Sequence, residues 1–219
     1  MSNQLKYYVL LTLLISSTGL FGQPFINEIN AFRKLDSISK PPDKAILFIG
    51  SSSFTNWKDV AKYFPEKVII NRGFGGSSLI HLIMYANDVI FKYNPKQIVI
   101  YCGENDLTGG NNINADSIFN RYVRLHQLIR SKYRKVPIAY ISMKPSISRE
   151  KYLPTMQTAN ELIKIFLTKQ KRSSYIDVYN KMIGADGKIY DHIFLKDQLH
   201  MNSEGYKIWQ KIIAPYLID

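Results

Sequence analysis

The amino-acid sequence predicts an α/β, doubly wound domain built on a parallel sheet. Five short runs are apolar at successive positions and rich in β-branched residues, the pattern of strands covered on both faces. Between them, apolar residues recur at helical spacing. A third observation concerns function: the residues that follow the strands are small, polar or titratable.

Taken in chain order, residues 1–22 read as a secretory signal. Lys6 and the α-amino group make a short positive region, and Tyr7 to Ile15 is apolar except for Thr12. That run is short of the ~20 apolar residues a membrane-spanning helix needs. Cleavage after Gly19 follows the small-x-small rule through Ser17, and cleavage after Gly22 is the alternative. The expectation is an exported protein, periplasmic or secreted. It is not a lipoprotein, because the single cysteine, Cys102, stands far from any new N-terminus. Of 219 residues, 23–219 remain, enough for one domain with a sizeable core, and no internal boundary is visible.

A helix is expected around Ile26–Leu35, followed by a linker, Ser37–Lys44, that contains Pro41-Pro42. The candidate strands are Ala45–Gly50, Val68–Asn71, Gln97–Cys102, Val136–Met143 and Ser174–Val178. Helical stripes lie between them: Leu79, Ile83, Ala86, Ile90; then Ile118, Tyr122, Leu125, Ile129; then Ala159, Leu162, Ile163, Phe166, starting near Pro154. A last helix is predicted from Ser203 to Tyr216 with Asn202 as its N-cap.

Composition narrows the class further. With 46% hydrophobic residues, 21% charged residues and a mean hydropathy of −0.15, disorder and a polytopic membrane protein are excluded. One cysteine permits no intramolecular disulfide and no thiolate cluster. The formal charge is +12, and Arg121, Arg124, Arg130, Lys132, Arg134 and Lys135 form a basic run free of acids. That run is either a solvated helix face or an attractor of an acidic glycan or anionic surface. Nothing resembles a nucleic-acid-binding module.

Ligands of open α/β sheets bind beyond the carboxyl ends of the strands. There the sequence places Ser51-Ser52-Ser53, then Arg72-Gly73-Phe74-Gly75-Gly76, then Gly103-Glu104-Asn105-Asp106, with Asp197-Gln198-Leu199-His200 just before the last helix. Asp197, three residues before His200, can orient an imidazole that acts as general base. A serine at the end of a buried strand is its natural client. A backbone turn and an Asn amide supply oxyanion donors. On residue types alone, Ser51, Ser52 and Ser53 all remain candidates.

Phe48-Ile49-Gly50-Ser51-Ser52, Asn71–Gly76, Gly103–Asp106 and Asp197–His200 resemble, in order and spacing, the four blocks of the SGNH, or GDSL-type, esterase/lipase/acylhydrolase family. The resemblance spans about residues 45 to 215, and His200–Tyr206 is similar to the family's stretch after its histidine. It implies a three-layer, flavodoxin-like fold with a five-stranded parallel sheet and helices on both faces. It further implies Ser52 as nucleophile, His200 as base and Asp197 as its orienting acid. The Ser52 and Gly76 backbone amides and the Asn105 side chain would form the oxyanion hole. Ser51 departs from the pattern, since the family usually has Asp before its serine. The G-x-S-x-G elbow of α/β-hydrolases is absent because Phe54 fills its last place.

Several residues invite other readings. Gly73, Gly75 and Gly76 miss the dinucleotide spacing G-x-G-x-x-G. Cys102 reads as a small buried hydrophobe. His81, His126 and His192 lack metal-ligand spacing, so neither metal nor cofactor is expected. Asp106 either positions Asn105 or makes a turn, and Trp57 either walls the acyl site or sits in the core. The expected activity is hydrolysis of short-chain acyl esters, with O-acylated carbohydrates as the favoured class. A lipid acylhydrolase, or a non-catalytic polyanion-binding protein on the same fold, is the alternative.

Overall fold

The computed structural model describes residues 23–110 and 113–219, so the signal expected at residues 1–22 lies outside the described residues. After helix α1 (Ile26–Ile38) comes strand β1 (Ile46–Gly50), then the short helices α2 (Ser52–Thr55) and α3 (Val60–Tyr63), then β2 (Ile69–Gly73). Helix α4 (Leu79–Met84), a π turn at Asn87–Phe91 and β3 (Gln97–Tyr101) follow. The chain continues through α5 (Ala115–Lys132), β4 (Ile138–Ile141), α6 (Leu153–Thr168), β5 (Ser173–Ile176) and α7 (Ser203–Ile213).

All five expected strands form, and every pairing is parallel, in the order β2-β1-β3-β4-β5. The apolar runs are continuous because alternate side chains enter two different cores. On one face Leu47, Ile49, Ile98, Ile100, Ile138 and Tyr140 meet Ile29 of α1, Leu79 of α4, Ile118 of α5 and Ile163 of α6. On the other, Ile46, Phe48, Val99, Tyr101, Ala139 and Ile141 meet Phe54, Trp57, Val60, Tyr206 and Trp209 from the α2–α3 and α7 layer. Together these make three layers, the flavodoxin-like arrangement.

Element ends shift by one to three residues from the sequence expectation: α1 runs on to Ile38 into the expected linker, β4 narrows to Ile138–Ile141, β5 moves to Ser173–Ile176 and α7 ends at Ile213. Two departures have a clear local reason. β2 runs on to Gly73 because Arg72, polar but buried, is held by Asp36 of α1 and by Tyr93, whose hydroxyl lies 2.6 Å from Arg72 Nε. The stripe from Leu79 to Ile90 is not one helix. The π turn inserts a residue after α4, so the buried set becomes Leu79, Leu82, Tyr85, Ala86, Val89 and Ile90, with Ile83 only partly covered.

Because the chain leaves β1 for β2 on one side and crosses to β3 on the other, the crevice of the fold opens at the carboxyl ends of β1 and β3. Gly50 ends β1 there at φ 152°, and a Cβ on it would stand 1.9 Å from the Tyr101 carbonyl oxygen of β3. Only glycine lets the two strand ends close beneath Ser51 and Ser52.

Candidate active site

Ser52 opens α2 at the end of β1. Its Oγ lies 3.0 Å from His200 Nε2, and His200 Nδ1 lies 2.6 Å from Asp197 Oδ2. Of the three consecutive serines, Ser51 and Ser53 are 3% and 2% exposed, while Ser52 is half-buried and carries the hydroxyl that meets the imidazole. His200 and Asp197 sit on a tight turn. The Asp197 carboxylate also accepts from the backbone amides of Leu199 (3.0 Å) and His200 (2.9 Å). The turn needs Gln198 in the left-handed region at φ 54°. Asn202 then caps α7 by accepting from Glu204 N and Gly205 N, as expected, and so fixes the chain two residues after the histidine.

Burial alone would raise the Asp197 pKa, but the hydrogen bonds from the His200 ring and the two backbone amides outweigh it and hold the carboxyl down to about 2. Asp197 is therefore ionised throughout the ordinary pH range. Such a carboxylate keeps the proton of neutral His200 on Nδ1, which leaves Nε2 free to accept one from Ser52.

The glycine-rich turn after β2 is tied to β1: Phe74 N and Ser77 Oγ both donate to the Gly50 carbonyl, at 2.9 and 3.1 Å. Gly76 has φ 78°. Among the described residues, neither the Ser52 nor the Gly76 amide donates to an acceptor in the chain, so both are available to an incoming oxyanion. Asn105, in the 3-10 turn Glu104–Thr108 that follows β3, differs. Its Nδ2 donates to Ser51 Oγ at 2.7 Å and to the Ser77 carbonyl at 3.1 Å, so both amide hydrogens are engaged. An oxyanion must take one of them over, and a charged acceptor outcompetes a neutral one.

With this geometry in place, comparison with known proteins is specific. The model of the GDSL-like Lipase/Acylhydrolase family matches residues 36–208. The chain belongs to that family.

Solved structures share the fold. A GDSL-like lipase from Bacteroides thetaiotaomicron is 20% identical, with a TM-score of 0.71 over 86% of this chain and 96% of its own. A candidate platelet activating factor from Streptococcus pneumonia is 22% identical, with a TM-score of 0.75 over 88% and 92%. An acetylxylan esterase from Geobacillus stearothermophilus is 14% identical, with a TM-score of 0.61 over 80% and 95%. No protein of curated function matches the chain significantly. As a GDSL-like acylhydrolase, the protein is a carboxylic ester hydrolase.

The remaining sequence candidates find their places around the site of this GDSL-like hydrolase. Asp106 is buried and accepts from Leu79 N (2.9 Å) and Arg121 Nη1 (2.8 Å), so it pins the third block to the start of α4. Trp57 is fully buried and stacks on Tyr206 in the core, which excludes it from the acyl site. Cys102 is buried, and that burial pushes its thiol pKa well up. His81 accepts from Ser78 N at 3.1 Å and closes a capping box on α4. His126 lies in the seam of α5 and α6 against Phe166, and His192 is exposed. In the basic run, Arg121 is paired with Asp106, Arg130 donates to the carbonyls of Val136 and Arg172, and Lys132 donates to that of Phe91. Arg124, Arg134 and Lys135 are exposed.

Sequence reasoning missed the roles of four residues. Ser51 and Ser77 hold Asn105, as described above. Lys144, 1% exposed after β4, pairs with buried Glu104 at 3.1 Å, and Tyr101 also donates to Glu104. A lysine closing an apolar run, in Ser142-Met143-Lys144, was the available signal for that pair. Arg149 Nη2 lies 3.4 Å from Asn105 Oδ1, and nothing in the local sequence marks it.

Proposed function

We propose that the protein hydrolyses short-chain acyl esters, with O-acylated carbohydrates as the favoured substrate class, through Ser52, His200, Asp197 and a covalent acyl-enzyme. One observation carries this reading: the continuous pair of contacts from Ser52 Oγ to His200 Nε2 (3.0 Å) and from His200 Nδ1 to Asp197 (2.6 Å).

Ser52 Oγ attacks the ester carbonyl as His200 Nε2 takes its proton. The Asp197 carboxylate stabilises the imidazolium that results. The Ser52 and Gly76 amides, joined by one Asn105 hydrogen, hold the oxyanion of the tetrahedral intermediate. Its collapse expels the alcohol, which receives the proton from His200. Water then attacks the acyl-Ser52 ester with His200 again as base, releasing the carboxylic acid and restoring Ser52. No metal or cofactor takes part in these steps.

The carbohydrate preference rests on the polar side chains that border the site, among them Ser78, Asn105, Asp106 and Thr108, and on the fold shared with an acetylxylan esterase. Export through the leader at residues 1–22 is part of the proposal. Hydrolysis of p-nitrophenyl acetate by the wild type, lost in Ser52→Ala, is the direct test; equal rates from both proteins reject the reading.

A further inference from the structure

Beside the triad, a cleft of about 360 Å³ is walled by the segment Ile147–Tyr152 on one side and by Asp197 and Leu199 on the other. That segment is tied to both halves of the site. Ser148 N donates to the Gln198 carbonyl at 3.2 Å, within the turn that carries His200. Arg149 Nη2 reaches Asn105 Oδ1 at 3.4 Å, on the oxyanion side. The Arg149 guanidinium is therefore held one side-chain amide away from the reacting carbonyl.

The cleft also carries Lys151, whose Nζ lies 4.8 Å from the centre of the Tyr152 ring. Among the described residues, neither Arg149 nor Lys151 has a salt-bridge partner. The one carboxylate in the lining, Asp197, is occupied by His200 and two backbone amides. The leaving oxygen must lie near His200 Nε2 to receive its proton, and the turn that carries His200 borders this cleft at Asp197 and Leu199, so an alcohol portion can reach it from there. Asn105 takes up one edge of the Arg149 fork and leaves the rest of the guanidinium for a ligand.

We infer that Arg149, with Lys151 behind it, makes this cleft a subsite for an anionic alcohol portion, so that the enzyme prefers acyl esters of acidic sugars to esters of neutral ones. The inference rests on the esterase reading above. A planar guanidinium accommodates a carboxylate or a phosphate through two parallel N–H bonds. Arg149 is thus a specificity-determining residue.

Three families of probe decide the question: mono-O-acetylated methyl glucuronosides, the matching methyl glucosides, and the matching methyl glucoside 6-phosphates. The wild type should favour at least one anionic family over the neutral one by about 10–100-fold in kcat/KM, the scale of a charge-assisted hydrogen bond. Whichever anion is preferred names carboxylate or phosphate as the group recognised. Arg149→Ala should bring the anionic-to-neutral ratio to within about twofold of unity, and Arg149→Lys should retain part of it because charge persists without the fork. The ratio cancels any loss of turnover common to all probes. Equal use of neutral and anionic esters by the wild type overturns the inference. So does a preference that survives in Arg149→Ala, or failure to cleave any of the sugars by a protein that cleaves p-nitrophenyl acetate. Inactivity toward p-nitrophenyl acetate as well counts instead against the esterase reading.

Discussion

The Asn105 side chain donates to Ser51 Oγ at 2.7 Å, so the residue standing where the family usually has Asp is a ligand of the oxyanion-side amide. A neutral hydroxyl here does a positioning job. Ser51→Ala should lower kcat for p-nitrophenyl acetate by roughly 5–10-fold, the effect of losing one neutral hydrogen bond, with KM little changed. An unchanged kcat would mean that the Ser77 carbonyl holds Asn105 unaided.

Removing the amide itself should cost more. Asn105→Ala is expected to reduce kcat by roughly 10²–10³ and to leave KM nearly constant, because the donor is most useful when charge develops on the carbonyl oxygen. Steady-state kinetics on one short ester suffices. A kcat close to wild type would make the third block structural in this protein.

Acyl length provides a third test. On the oxyanion side a cavity of about 480 Å³ is bordered by Gly76, Ser78, His81, Asn105, Asp106 and Arg121, with Ile80 as an apolar element. Each added methylene gains ~0.8 kcal/mol only where it leaves water for apolar surroundings. With Ile80 the one apolar side chain among the residues that border this cavity, kcat/KM should peak between acetyl and butyryl and fall by octanoyl. A profile that rises through octanoyl would favour the lipid-acylhydrolase alternative.

The sheet was legible in the sequence because both of its faces are covered. The central strands β1, β3 and β4 have no solvent side to interrupt the apolar run. Arg72 hid the end of β2, since its partners Asp36 and Tyr93 are 36 and 21 residues away in the chain. The helical stripe after Leu79 misled because period counting cannot register an inserted π turn. In the site, Ser52 and His200 were legible as family blocks, although 148 residues separate them. Arg149 and Lys144 act across space, 44 and 40 residues from Asn105 and Glu104 respectively, and no local pattern encodes such contacts.

His126 predicts a pH dependence of stability. Burial, reinforced by the nearby Arg130 charge, lowers its pKa from about 6.5 to about 4. The folded protein thus resists protonation that the unfolded chain accepts. Its contribution is fully present above pH 6.5 and is lost as pH falls toward 4. In His126→Gln, the fall of Tm between those values should be shallower than in the wild type. Identical slopes in thermal melts across that range would place the acid sensitivity elsewhere.

Covalent labelling tests the central claim most directly. A fluorophosphonate reacts with an activated serine, and here three serines stand in a row with one imidazole 3.0 Å from the middle hydroxyl. Peptide mapping of the labelled protein should find the adduct on Ser52, with labelling abolished in Ser52→Ala and His200→Ala. An adduct on Ser51 or Ser53, or no adduct on an esterase-active preparation, would contradict the account.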